Sequence, residues 1–151
     1  MYIQSSIADI PGWGLGADQG ILASVQPLRI LVVEDEMLIA MGLELVVQSF
    51  GHSVCALASN ADAAIAEAGR HRPDIVLMDI CLGRGSSGIV AACEIRKRFD
   101  IPAIFISANL DPAMIEAAQD AKPAGFIAKP FTPDRIGRAL AEIRLAAARD
   151  G

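Results

Sequence analysis

Five short apolar runs, each followed by a stretch long enough for a helix, constrain the fold of this chain more than any other feature. The runs cover residues 30–33, 54–58, 75–78, 103–106 and 125–127. Short apolar runs bounded by turn residues read as strands buried on both faces. Helical stretches lie near 36–50, 60–71, 86–98 and 112–121, and a last one runs over about 133–148. In the first, Ile39, Gly42, Leu43, Val46, Val47 and Phe50 recur at the 3.6-residue period and are expected to face the core. The last opens with Thr132 as N-cap and Pro133 at the first helical position, and its inner stripe is Ile136, Leu140, Ile143 and Ala147. Alternating strands and helices predict an α/β domain with a doubly wound five-stranded parallel sheet, right-handed crossovers and helices on both faces.

A chain of 151 residues makes one such domain, with enough length for one substantial core. No apolar run approaches a membrane span. The net charge is −5, and no basic cluster exceeds Arg96-Lys97-Arg98, which reads as a solvated helix end rather than a nucleic-acid contact. Three cysteines (Cys55, Cys81 and Cys93), an odd number without a CxxC pair, read as reduced thiols and lack zinc-site spacing. No Lys or Arg precedes Arg29, so the basic region of a signal peptide is missing and a cytoplasmic location is expected.

Residues 1–27 form an N-terminal extension distinct from the domain over 28–151. Ile3, Ile7 and Ile10 fall at helical spacing, and Pro11-Gly12-Trp13-Gly14-Leu15-Gly16 then breaks any helix. Gly14 and Gly16 follow no strand and do not make a dinucleotide fingerprint. The extension reads either as a flexible tail or as an arm that docks. The first helix is also apolar on a second side (Met37, Ala40, Met41, Leu45), which marks a contact surface for the arm, in its own or a partner subunit.

Strand carboxyl ends share one edge of a parallel sheet, where open α/β folds place their ligands. Four of these ends carry chemistry. The first is Glu34-Asp35-Glu36, the third Asp79, the fourth Ser107-Ala108-Asn109 and the fifth Lys129-Pro130. Adjacent carboxylates are costly without a compensating cation. Acidic residues also suit a helix start, which accounts for Glu36. Asp35 with Asp79 is better explained as a pair of hard-oxygen ligands, few enough for hydrated Mg²⁺. Ser107 offers a hydrogen bond, and Lys129 a point charge suited to a phosphate oxygen or to the carboxylates. The Lys129-Pro130 bond is a candidate cis peptide.

Together these ends, in this order and spacing, resemble the receiver domain of two-component response regulators over residues 28 to about 148. The loop from Asp79 to Ile89 resembles a receiver variant without the more usual proline four residues after the aspartate. The resemblance implies the flavodoxin-like strand order 2-1-3-4-5 and phosphoryl transfer onto Asp79 from a sensor histidine kinase. It implies Mg²⁺ held by Asp35, Asp79 and the backbone carbonyl of Cys81, with Glu34 acting through water. Lys129, Ser107 and the backbone amide of Ala108 would meet the phosphoryl oxygens. Ser107 and Phe126 take the switch positions, Phe126 standing where tyrosine is commoner. Cys81 and Asn109 lie where the family tunes phosphoryl lifetime.

The leading expectation is a single-domain response regulator acting through phosphorylation-dependent protein contacts, since the sequence ends after the fifth helix. It catalyses only its own Mg²⁺-dependent phosphorylation and dephosphorylation. Its partners would be the kinase and either a downstream protein target or a histidine phosphotransfer protein, the latter making it a phosphorelay shuttle. A homodimer through the arm, the first helix, or the face of helix four, strand five and helix five is also open. An aspartyl-phosphate phosphatase needs a second aspartate two residues beyond the nucleophile, where Cys81 stands. A purely structural module would have no use for the acidic pair, Ser107 and Lys129. His52 and His71 are expected at helix ends, capping or exposed, and not as phosphotransfer groups.

Overall fold

The computed structural model describes residues 26–150. Strands are β1 (Arg29–Val33), β2 (Ser53–Ala58), β3 (Ile75–Asp79), β4 (Ala103–Ser107) and β5 (Gly125–Ala128). Helices are α1 (Met37–Ser49), α2 (Ala61–His71), α3 (Gly88–Phe99), α4 (Pro112–Ala117) and α5 (Pro133–Asp150). All neighbouring strands pair in parallel, in the order β2-β1-β3-β4-β5. This is the expected doubly wound, flavodoxin-like architecture. The readings made for residues 1–25 lie outside the described residues.

The sheet divides the core in two because successive strand side chains point to opposite faces. Ile30, Val32, Ile75, Leu77, Ile104, Ile106 and Ile127 pack beneath α1 and α5. Leu31, Val33, Val76, Met78, Ala103 and Phe105 pack beneath α2, α3 and the α4 region. Every residue of β3 and β4 is buried, as unbroken apolar runs require in a two-faced sheet. Small residues on α2 and α3 (Ala64, Ala68, Ala91, Ala92) let these helices lie close to the strands.

Helix boundaries follow local chemistry. Asn60 Oδ1 accepts from the Ala63 amide at 2.8 Å, and Asp111 Oδ1 from Met114 at 2.8 Å, each satisfying an otherwise orphaned donor. Thr132 Oγ1 accepts from the Arg135 amide at 3.3 Å, the cap expected from the Thr-Pro pair. The basic trio lies on the last turn of α3, where Arg98 pairs with Glu94 and Arg96 with Asp100. It is a solvated helix end, favourably placed at the negative pole of the helix.

Four expectations need correction. The stretch 112–121 is not one helix: α4 stops at Ala117 and a 3₁₀ turn covers Gln119–Ala121, because Pro123 follows and the chain tightens into a left-handed Lys122. On α1 the buried arc is Ala40, Leu43 and Val47; Ala40 therefore belongs to the core, whereas Gly42 and Phe50 are exposed. On α5, Ile136 and Leu140 are buried but Ala147 is exposed, because the helix runs on past the sheet. His52 is buried, and its Nδ1 accepts from the Leu28 amide at 3.1 Å, joining the start of β1 to the turn after α1. His71, as expected, closes a helix, with Nε2 3.0 Å from Glu67.

Candidate functional site

Strand register brings the predicted residues together. Val33 pairs with Met78, Asp79 with Ile106, and Ser107 with Ala128, so Glu34, Asp79, Ser107 and Lys129 step along one sheet edge. Backbone bonds from Ile80 N to Ile106 O (3.2 Å) and from Lys129 N to Ser107 O (2.8 Å) extend the pairing past the strands. The edge lies where the chain reverses its direction of travel, between β1 and β3. It is the position at which open α/β sheets bind ligands.

At its centre, Lys129 Nζ donates to Glu34 Oε2 at 2.9 Å and to Asp79 Oδ2 at 3.0 Å. Both carboxylates are buried, and their remaining oxygens are also engaged. Glu34 Oε1 accepts from the Glu36 amide at 3.2 Å, and Asp79 Oδ1 from the Cys81 amide at 3.1 Å. Burial, aided by the charge on Asp79, pushes the Glu34 carboxyl up to about 7, against the lowering effect of its hydrogen bonds. Burial also works against the Lys129 ammonium. The hydrogen bonds and charges of Glu34 and Asp79 outweigh it and hold the lysine above its ordinary value.

Asp35 is exposed and completes a cluster in which Glu34, Asp35 and Asp79 each place a carboxylate oxygen within 4.8 Å of the others. Three carboxylates facing one ammonium leave a surplus of negative charge. All donors are hard oxygens, the chemistry that fits Mg²⁺. A cleft of about 320 Å³ opens above them, lined by Asp35, Asp79, Cys81, Ser107, Ala108 and Lys129 among others. Cys81 is exposed there, and the three cysteines are unpaired.

Ser107 is buried and turned toward its own loop. Its Oγ donates to the Asn109 carbonyl at 3.0 Å and accepts from the Asn109 amide at 3.1 Å. Phe126 is half-buried on β5 and stacks on Phe105, with ring centroids 5.7 Å apart and planes 25° apart. The Lys129-Pro130 peptide is cis.

Two glycines escaped the sequence reading. A Cβ on Gly88 would overlap the Asp79 carbonyl oxygen, so α3 can begin against the end of β3 only with glycine there. Gly83 has φ +66, and a Cβ on it would approach Asp35 Oδ2 to 3.0 Å. The glycine-rich run after Asp79 was their visible signal.

The model of the response regulator receiver domain matches residues 30–141. The chain belongs to the response regulator receiver domain family. Among its relatives, this receiver is 38% identical to the phyllosphere-induced regulator PhyR of Methylorubrum extorquens, over 80% of this chain and 45% of PhyR. It is 36% identical to the chemotaxis protein CheY of Bacillus subtilis, over 74% of this chain and 93% of CheY. The solution structure of the Erythrobacter litoralis PhyR receiver superposes with a TM-score of 0.69 at 34% identity, covering 78% of this chain and 89% of that one. This receiver thus spans about half the length of PhyR. Among its described residues no helix is long and apolar enough to cross a membrane.

Proposed function

We propose that this receiver accepts a phosphoryl group on Asp79 from the phosphohistidine of a sensor histidine kinase and signals through the resulting change in its protein contacts, in the cytoplasm. The observation that carries this reading is the double engagement of Lys129 with Glu34 and Asp79, beside Asp35, at a ligand-binding sheet edge. Asp79 supplies the attacking carboxylate oxygen; the phosphorus–nitrogen bond to the donor breaks, and the imidazole leaves with the electron pair. Asp35, Asp79 and the carbonyl of Cys81 would hold Mg²⁺, with Glu34 reaching it through water. When bound, the ion supplies positive charge opposite the transferring phosphoryl oxygens, where such transfers need it.

Lys129 has its charge within reach of the same oxygens once it lets go of Asp79. Ser107 would exchange its bond to Asn109 for one to the phosphoryl group, alongside the amide of Ala108. That movement changes the space beside Phe126, whose ring is half-buried and can turn further in. Two ring positions in a packed site make an element that local charge can bias.

Acetyl phosphate labelling of the whole chain tests the reading. Label is expected on Asp79, only with Mg²⁺, and is expected to vanish in Asp79→Asn. Undiminished labelling of Asp79→Asn would overturn the assignment.

A further inference from the structure

Helix α1 buries one arc and leaves a second apolar arc on the opposite side. Met37, Leu38, Met41 and Leu45 are 68%, 84%, 49% and 69% exposed. At 100° per residue they fall within roughly one quadrant of the helix, facing away from Ala40, Leu43 and Val47. Leu38 is absent from the sequence-predicted set, and with it the stripe is continuous. Four large exposed apolar side chains that neighbour one another on one helix face are the kind of surface that marks an interaction site rather than scattered exposure.

Gly42 adds a second observation. It lies at the edge of this stripe, between Leu38 and Leu45, in the middle of a 13-residue helix. A Cβ there would meet nothing within 4 Å. Glycine in a helix interior costs up to about 1 kcal/mol relative to alanine, and no described contact offsets that cost. Its effect is to leave the α1 backbone bare, so that a packed segment can come close.

We infer that this stripe is covered by the N-terminal segment of its own chain, residues 3–13. That segment is apolar at Ile3, Ile7 and Ile10, which fall on one helical face, and adds Trp13. Its attachment is at the right place. Leu28 is held to His52 and to Ser53, whose amide donates to the Leu28 carbonyl at 3.0 Å, so the chain enters β1 beside the turn that follows α1. Residues 14–25 can extend up to about 40 Å, whereas α1 is about 20 Å long. The tether therefore reaches the whole stripe.

The size of the stripe favours a tethered segment over a second copy of the protein. Stable interfaces between separate chains engage ~20–30 residues a side. Four side chains fall far short of that. For a tethered segment they suffice, since tethering holds it at effective concentrations of order millimolar.

Trp13 is the only tryptophan in the chain, so its fluorescence reports on this segment alone. In the full-length protein, acrylamide is expected to quench Trp13 several-fold less than in a synthetic peptide of residues 1–25, at every protein concentration. Leu38→Asp and Leu45→Asp, both at solvent-facing positions, are expected to raise quenching to the peptide's level while far-ultraviolet circular dichroism keeps its folded signal. Quenching in the wild-type protein equal to that of the peptide would overturn the inference. So would protection that survives both substitutions, or protection lost on dilution, which would assign the stripe to a second copy.

Discussion

Lys129 Nζ stands 3.0 Å from Asp79 Oδ2 although fifty residues separate the two in sequence, and the same nitrogen holds Glu34 at 2.9 Å. One ammonium thus compensates two buried carboxylates, and its loss is predicted to act in two directions. Lys129→Met is expected to lower metal-free stability by about 2 kcal/mol, below the usual cost of breaking a buried pair because Glu34 can take up a proton near neutrality. The same variant is expected to bind Mg²⁺ about tenfold more tightly, since a unit positive charge has left the site. Thermal unfolding with and without Mg²⁺, together with a Mg²⁺ titration, checks both.

Gly88→Ala is predicted to cost about 3 kcal/mol, because the added methyl meets the Asp79 backbone and not a yielding side chain. Chemical denaturation measures the loss. Acetyl phosphate labelling of the folded variant should also slow, since relieving the overlap moves either α3 or Asp79. Stability and labelling both unchanged would show that the α3 start is looser than this geometry.

His52 is predicted to make stability fall as the pH drops below about 6.5, against the opposite contribution of Glu34, whose raised carboxyl takes up its proton more readily in the folded state. Burial, with the nearby Arg144 charge second, lowers the His52 pKa in the folded state. The unfolded chain therefore binds the proton more readily. The His52 contribution is complete above the unfolded pKa of about 6.5 and is lost as pH falls through the folded value. His52→Asn, which retains an acceptor for the Leu28 amide, should show a flatter decline of unfolding midpoint between pH 7.5 and 5. Identical slopes for the two proteins would remove His52 from the account.

Phe126→Ala is predicted to destabilise the domain by about 2 kcal/mol, less than a fully buried phenylalanine, since the ring is only half-buried against Phe105. Phe126→Leu should recover more than half of that. Urea unfolding of both variants gives the comparison. A cost near zero for Phe126→Ala would mean that the stack contributes no packing energy.

Much of the site was legible because parallel strands put their carboxyl ends on one edge. Asp35, Asp79, Ser107 and Lys129 each follow a readable apolar run, so their convergence follows from the fold class. The bonding within the site was not legible. Lys129 holds Glu34 as well as Asp79, and Ser107 is turned to Asn109. Both depend on register and side-chain reach, which no linear spacing contains. His52 was misjudged for the same reason: its acceptor role needs Leu28, 24 residues away.

The sequence by itself determined the alternation of strand and helix, the helix cap at Thr132, and which strand ends carry chemical groups. These depend on local periodicity and short-range hydrogen bonds. Tertiary structure alone decided which carboxylate Lys129 neutralises, that Gly88 rests against Asp79, and that α1 buries Ala40 while exposing Leu38 and Gly42. A helix with apolar residues on two sides has no local reason to prefer either. The choice is made by the whole sheet, which buries the arc that fits closest against Ile30, Val32 and Leu77.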